Sequence, residues 1–215
     1  MLIICYSCAM DFLPLSELEV RLLGALMEKQ ITVPDQYPLS LNSLTNACNQ
    51  KNSRQPVSSY SEREIEHCLE GLRLKNLTGF IREPGGRVQK YQHYMTRELT
   101  LRPDEHAVLC ILMLRGAQTV GELRGRTEPL HKFADLGSVE VILERFASRE
   151  WVVKLERSAG ERDHRWTHLL TGAPTLPVAD ASRVTSGGSD TLQRLETLEA
   201  EVLALRGELE AIKNR

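Results

Sequence analysis

The chain has 215 residues and a mass of 24.3 kDa, room for one large domain or two small ones but not for a large multidomain enzyme. Hydrophobic residues make up 41% and charged residues 26%, and no apolar run approaches the roughly 18 residues of a membrane span, so a membrane partner is excluded. With 27 Lys+Arg against 29 Asp+Glu the net charge is -2, and only 5% of residues are aromatic. There is thus no global basic excess for nucleic acid and little material for stacking single-stranded bases.

Residues 1–13 read as a leader expected to be disordered. They are briefly apolar without a preceding Lys or Arg, so no signal peptide is expected, and Met10 is an alternative start. Cys5-x-x-Cys8 is half of a zinc motif, but its nearest completion, His164-x-x-x-His168, lies more than 150 residues away, and no metal is expected. The five cysteines (5, 8, 48, 68 and 110) are odd in number and scattered, as reduced thiols of a cytoplasmic protein would be.

Residues 14–97 are expected to form a first domain. Ser16 with Glu19 makes a capping box, and Val20, Leu23 and Met27 recur at helical spacing behind it. Leu41, Leu44 and Cys48 mark a shorter second helix. Ser61 with Glu64 opens a third, whose buried face is Ile65, Cys68, Leu69 and Leu72. Two strand-like runs, 78–82 and 87–94, then flank the turn sequence Glu83-Pro84-Gly85-Gly86.

Residues 98–170 repeat this pattern. Glu19, Leu23, Leu26 and Met27 align with Glu105, Leu109, Leu112 and Met113 at an offset of 86, whereas Leu69, Leu72 and Leu77 align with Leu143, Phe146 and Trp151 at an offset of 74. The first copy therefore carries 12 extra residues in its middle. Pro103 starts one helix, Thr119 with Glu122 caps a second, residues 139–149 form the third, and 151–155 with 163–169 make the hairpin. Three helices followed by a two-stranded wing is the winged-helix order, so the expected fold is mainly α with small β wings (α+β), two tandem winged-helix domains.

Residues 171–189 read as a flexible linker. In residues 190–215, Leu195, Leu198, Val202, Leu205, Leu209 and Ile212 hold the a and d positions of three heptads, predicting a coiled-coil helix. A parallel pairing sets Arg194 against Glu199, Glu201 against Arg206 and Glu208 against Lys213, all opposite in sign, which favours a parallel homodimer. The alternative is an amphipathic helix folded back on its own chain.

Catalytic constellations are absent: there is no nucleophile elbow, phosphate loop or His-Glu-x-x-His, and the six histidines read as surface or boundary side chains. No catalytic residue, cofactor or enzyme activity is expected. The richest polar segment is 34–55. Asn42, Asn46 and Asn49 share one face of the second helix, although Asn is a poor helix former. Their amides serve either the loop that follows or an external partner.

Glu28-Lys29-Gln30-Ile31-Thr32-Val33-Pro34-Asp35-Gln36-Tyr37-Pro38-Leu39-Ser40-Leu41-Asn42, followed by Ala47-Cys48-Asn49-Gln50-Lys51, closely resembles the YceH family of uncharacterised bacterial proteins. Gly121-Glu122-Leu123-Arg124-x-Arg126 and His131-x-Phe133-Ala134-Asp135-Leu136 resemble it too. The resemblance covers about residues 15–170. It implies a tandem winged-helix fold and brings no activity.

Two functions fit. In the first, a dimeric regulator contacts double-stranded DNA through the third helices and wings, with Lys51, Asn52, Arg54, Arg63, Arg73, Arg82, Arg87 and Lys90 in the first copy and Arg124, Arg126 and Lys132 in the second. Against it, Glu62, Glu64, Glu66 and Glu70 crowd the first recognition helix, Glu140 and Glu144 lie on the second, and residues 1–100 and 101–170 each hold 11 basic and 11 acidic side chains. In the second, the tandem domains are a protein-interaction scaffold without direct DNA binding.

Overall fold

The computed structural model describes residues 14–82, 88–157, 160 and 162–173. The leader with Cys5 and Cys8, Arg87 and the Glu83–Gly86 turn, the linker from residue 174 on, and the heptad positions Leu195, Leu198, Val202, Leu205, Leu209 and Ile212 lie outside the described residues. Within them the fold is mixed α+β, and one order of elements occurs twice.

Helix α1 (Glu17–Thr32) begins as its capping box requires. The Glu19 N–H donates to Ser16 Oγ at 3.2 Å, and the Ser16 N–H donates to the Glu19 carboxylate at 2.7 Å. A 3-10 turn (Pro34–Gln36) leads to strand β1 (Leu39–Ser40), helix α2 (Leu41–Cys48), helix α3 (Glu62–Leu74), and the hairpin β2 (Thr78–Arg82) and β3 (Gln89–His93). After the short helix α4 (Met95–Glu98) the series repeats as α5 (Pro103–Arg115), β4 (Gln118–Thr119), α6 (Val120–Arg126), α7 (Leu136–Ser148), β5 (Val152–Lys154) and β6 (Arg165–His168). Both sheets are antiparallel and ordered alike, β1-β3-β2 and β4-β6-β5.

The third strand of each sheet has a local cause. Ser40 and Thr119 cap α2 and α6 by accepting the N–H of Ser43 and of Glu122, each at 3.2 Å. An N-cap residue keeps an extended backbone, and here ψ is 163° and 162°. Each cap residue, with the residue before it, is thereby shaped to pair with the hairpin: Leu39 faces Tyr91 and Gln118 faces Trp166. The 12 extra residues of the first copy fall in two places. The offset between equivalent elements is 86 at α1 and α5, 79 at β1 and β4, and 74 at α3 and α7, so seven residues enter before β1 and five between α2 and α3.

Helices α1 and α5 are the centre of the molecule. Every residue from Glu19 to Met27 and from Glu105 to Leu114 is buried, because each helix packs on its own copy and on the other. The one-sided stripe expected for α1 is thus widened to nearly the full circumference. At the crossing, Gly24 leaves no room for a side chain: a Cβ there would stand 3.0 Å from Leu114 Cγ and 3.2 Å from Met113 Cβ. Cys110 Sγ–H donates to the Gly24 carbonyl at 3.4 Å, and the Leu15 N–H donates to the Leu170 carbonyl at 2.8 Å. One continuous apolar core results, drawing on both copies.

The equivalent glutamates Glu19 and Glu105, besides capping their helices, reach into their own copies, Glu19 to Lys75 at 2.6 Å and Glu105 to Arg145 at 2.8 Å. Two histidines expected at the surface or its boundary are instead buried at the junction. His106 Nε2 lies 3.1 Å from the Met27 carbonyl and its Nδ1 2.8 Å from Thr96 Oγ1, while His93 Nε2 is 2.8 Å from Gln30 Oε1. Their ring centroids are 5.8 Å apart. Both residues are buried, His93 at 6% and His106 at 3% exposure, a burial that position in the chain does not signal.

Candidate functional site

The charged candidates of the first copy divide by their surroundings. Lys51, Asn52, Arg63, Arg73 and Arg82 are exposed, and Lys90 is half-buried. Arg54 is a correction: its guanidinium is fully withdrawn from solvent. It donates to both oxygens of Glu28 at 2.7 and 3.2 Å, to the Ala47 carbonyl at 3.0 Å and to Gln50 Oε1 at 3.1 Å, so it clamps the loop after α2 onto α1 and cannot reach a phosphate. Burial would raise the Glu28 carboxyl, but the hydrogen bonds and charge of Arg54 hold it below the usual range.

The asparagine stripe is mostly internal. Asn49 brackets the Tyr60 backbone, donating to its carbonyl at 2.7 Å and accepting its N–H at 2.8 Å, and thus fixes the entry to α3. Asn42 donates to Glu62 at 3.0 Å, and Asn46, which is exposed, donates to Asn42 at 3.2 Å. In the second copy Arg124 is exposed and donates to the Ala134 carbonyl at 3.1 Å, Arg126 pairs with Glu122 at 3.2 Å, and Lys132 is exposed. Arg124 and Lys132 line a shallow cleft with Gly121, Gly125, Phe133 and Leu136.

The outward faces of α3 and α7 decide what such surfaces can meet. On α3 the exposed ionisable side chains include Glu62, Glu64, Glu66 and Glu70 against Arg63 and Arg73. On α7 they are Glu140 and Glu144, since Arg145 is half-buried against Glu105. Exposed apolar side chains accompany them: Leu74 (80%), Phe80 and Ile81 in the first copy, Leu136 and Val141 in the second. Spacing along the chain identified the glutamates but missed this apolar company, whose signal is an aliphatic residue on the polar face of an amphipathic helix.

A groove runs between α3 and the first hairpin, lined by Glu66, Glu70, Arg73, Phe80, Gln89 and Tyr91 among others. On the other side of β2, Tyr94 covers Gly79 so closely that a Cβ there would overlap the phenol, and Arg97 stacks over the same ring at 4.4 Å. The face of the hairpin away from the groove is therefore covered at Gly79, while Ile81 on the same face stays exposed. Cys48, Cys68 and Cys110 are buried free thiols, and burial pushes those of Cys48 and Cys68 up to about 12, far from nucleophilic use.

Residues 15–161 match the family model described as "Protein of unknown function, DUF480". A UPF0502 protein of Dechloromonas aromatica is 48% identical over 200 residues, covering 89% of this chain and 92% of that protein. A UPF0502 protein of Vibrio atlanticus is 44% identical over 209 residues, 93% and 95% of the two chains, and one of Geobacter sulfurreducens is 42% identical over 197, 89% and 90%.

Proposed function

The chain belongs to the DUF480 family, and from that premise we propose that it is a protein-docking module built on two tandem winged-helix repeats, with no catalytic activity of its own. The winged-helix reading is supported by the twice-repeated order of helix, short strand, two helices and hairpin, with the same strand order in both sheets. Dimerisation through the 190–215 heptads belongs to the same proposal, as does a cytoplasmic location, which the buried free thiols support.

The observation that carries docking is the outward face of α3 and α7. A recognition helix entering a DNA groove meets about one phosphate charge per 1.7 Å of duplex, and Glu66, Glu70, Glu140 and Glu144 would stand against it without compensation on α7. Carboxylates interspersed with exposed Leu74, Leu136 and Val141 suit a protein surface instead.

A second reading keeps DNA at the first copy alone, because Lys51, Arg63, Arg73 and Arg82 are exposed and none of them forms an ion pair among the described residues. Retention of fragmented genomic DNA on the purified chain across about 50 to 200 mM salt separates the two. Docking expects no retention at the low end. Retention that falls steeply with salt and is lost in a K51E/R63E/R82E variant would transfer the function to DNA.

A further inference from the structure

In the groove beside α3, Phe80 and Tyr91 are directly opposed in the β2–β3 register, so their rings share the face turned towards the helix. Phe80 is 47% exposed. Glu66 and Glu70 line the same groove as Tyr91, and their charges add to burial in raising the Tyr91 hydroxyl. Arg73 also lines the groove, leaving two carboxylates to one guanidinium.

The second copy shows what such a place accommodates. By register, Lys154 stands where Phe80 does and Trp166 where Tyr91 does, because Lys154 is opposed to Trp166 as Phe80 is to Tyr91. The offset of 74 sets Glu140 and Glu144 on α7 at the positions of Glu66 and Glu70. There the Lys154 ammonium lies over the Trp166 ring, 5.8 Å from its centroid. The second copy thus supplies its own cation to an aromatic face at this position, whereas the first replaces that lysine with a second aromatic ring.

We propose that the groove of the first copy is a clamp for a Lys or Arg side chain of a partner protein, with the cation held between the carboxylates of Glu66 and Glu70 and the rings of Phe80 and Tyr91. The proposal rests on the docking reading above and specifies its partner as a basic segment. A cation over an aromatic face is attracted by the ring quadrupole, and the adjacent carboxylates add charge attraction that a neutral apolar segment would forgo. Anionic ligands meet two carboxylates and are disfavoured at the same place.

The test is an amide chemical-shift titration of the full chain with Nα-acetyl-lysine amide and Nα-acetyl-arginine amide, using Nα-acetyl-norleucine amide, which keeps the straight aliphatic stem without the ammonium, as neutral control. The two cationic probes are expected to bind in the millimolar range, with shifts confined to residues 66–70, 78–80 and 89–91 and little response to norleucine. An E66Q/E70Q variant should weaken binding about fivefold or more, the loss of two partly exposed charge pairs. Y91F, which keeps the ring, should bind like the parent. F80K, which copies the second repeat, should fill the groove from within and abolish binding while leaving the rest of the spectrum unchanged. Equal response to norleucine, shifts elsewhere, no response, or undiminished binding by F80K would each overturn the clamp. A parallel titration with duplex DNA separates the two levels: DNA-induced shifts on α3 would remove the docking reading along with the clamp, whereas silence towards both DNA and the cations would remove the clamp alone.

Discussion

Lys51 and Arg54, three residues apart, show how little a charged letter says before its surroundings are known. Lys51 projects into solvent, whereas Arg54 sits in a cage of carbonyls with the Glu28 carboxylate as its counter-charge. Removing one partner of a buried ion pair leaves the other uncompensated, so Arg54→Met should cost about 3–5 kcal/mol. Lys51→Glu should stay within about 0.5 kcal/mol, as exposed substitutions do. Urea denaturation of the two variants measures the contrast, and equal midpoints would show that the Glu28 pair contributes nothing. The consequence for function is practical. Charge reversal at Arg54 would unfold the loop after α2 and abolish any binding whatever its kind, so a test for DNA contact has to use Lys51, Arg63 and Arg82. The chain order does place Arg54 among exposed polar residues, and only the return of the loop to α1 hides it, a long-range contact without a local signature.

At the scale of elements, legibility follows how local the cause is. The capping boxes at Ser16, Ser61 and Thr119 were readable because a window of four residues suffices to make them, and all three helices start there. Strands β1 and β4 were not, since two residues carry no alternation. Their pairing depends on a cap geometry and on a hairpin some 50 residues downstream. The asparagine stripe is an intermediate case: its face could be read from spacing, but its target, the Tyr60 backbone, could not. That target gives Asn49 a defined weight. Asn49→Ala strands both the N–H and the carbonyl of Tyr60 and should cost about 2 kcal/mol, by the usual size of such hydrogen bonds in partly buried settings. Asn46→Ala, losing one exposed contact to Asn42, should change stability by less than about 0.5 kcal/mol. Hydrogen exchange at the Tyr60 amide provides the local readout: it should accelerate in the first variant and not in the second. If Asn49→Ala left it protected, the loop would be held without Asn49, by contacts such as those of Arg54 with Glu28 and of the Arg21 guanidinium with the Pro56 carbonyl.

At the scale of the whole molecule, the two repeats are joined by helices whose central turns are buried on every side, and that junction is built partly from imidazole. The repeat could be read from the sequence, but the continuous core could not, because an alignment of copies does not say which faces meet. His93 ends β3 and its equivalent, His168, ends β6; each has a buried Nδ1 without a hydrogen-bond partner. Burial, with the nearby His106 adding to it, pushes His93 down to about 3, and burial alone takes His168 to about 4. The neighbours that His93 meets, Gln30, Tyr37 and His106, offer no negative charge to compensate an imidazolium. A folded-state value depressed below the unfolded 6.5 means that the unfolded chain binds the proton first. Stability from these groups is therefore fully present only above pH 6.5 and falls as pH descends from there, towards 4 for His168 and 3 for His93, by about 2 kcal/mol for each at pH 5. In a described core of this size that corresponds to roughly 6 °C in Tm for each. A thermal melt series from pH 7.5 to 5 should show this loss in the parent chain. In His93→Gln, whose amide can still meet Gln30 but cannot take a proton, the drop should shrink by about one histidine's share, with His168 and His106, which burial also shifts downward, supplying the remainder. An identical pH slope in that variant would mean that the His93 imidazole takes no part in the pH dependence and that its burial at the junction carries no proton-linked cost.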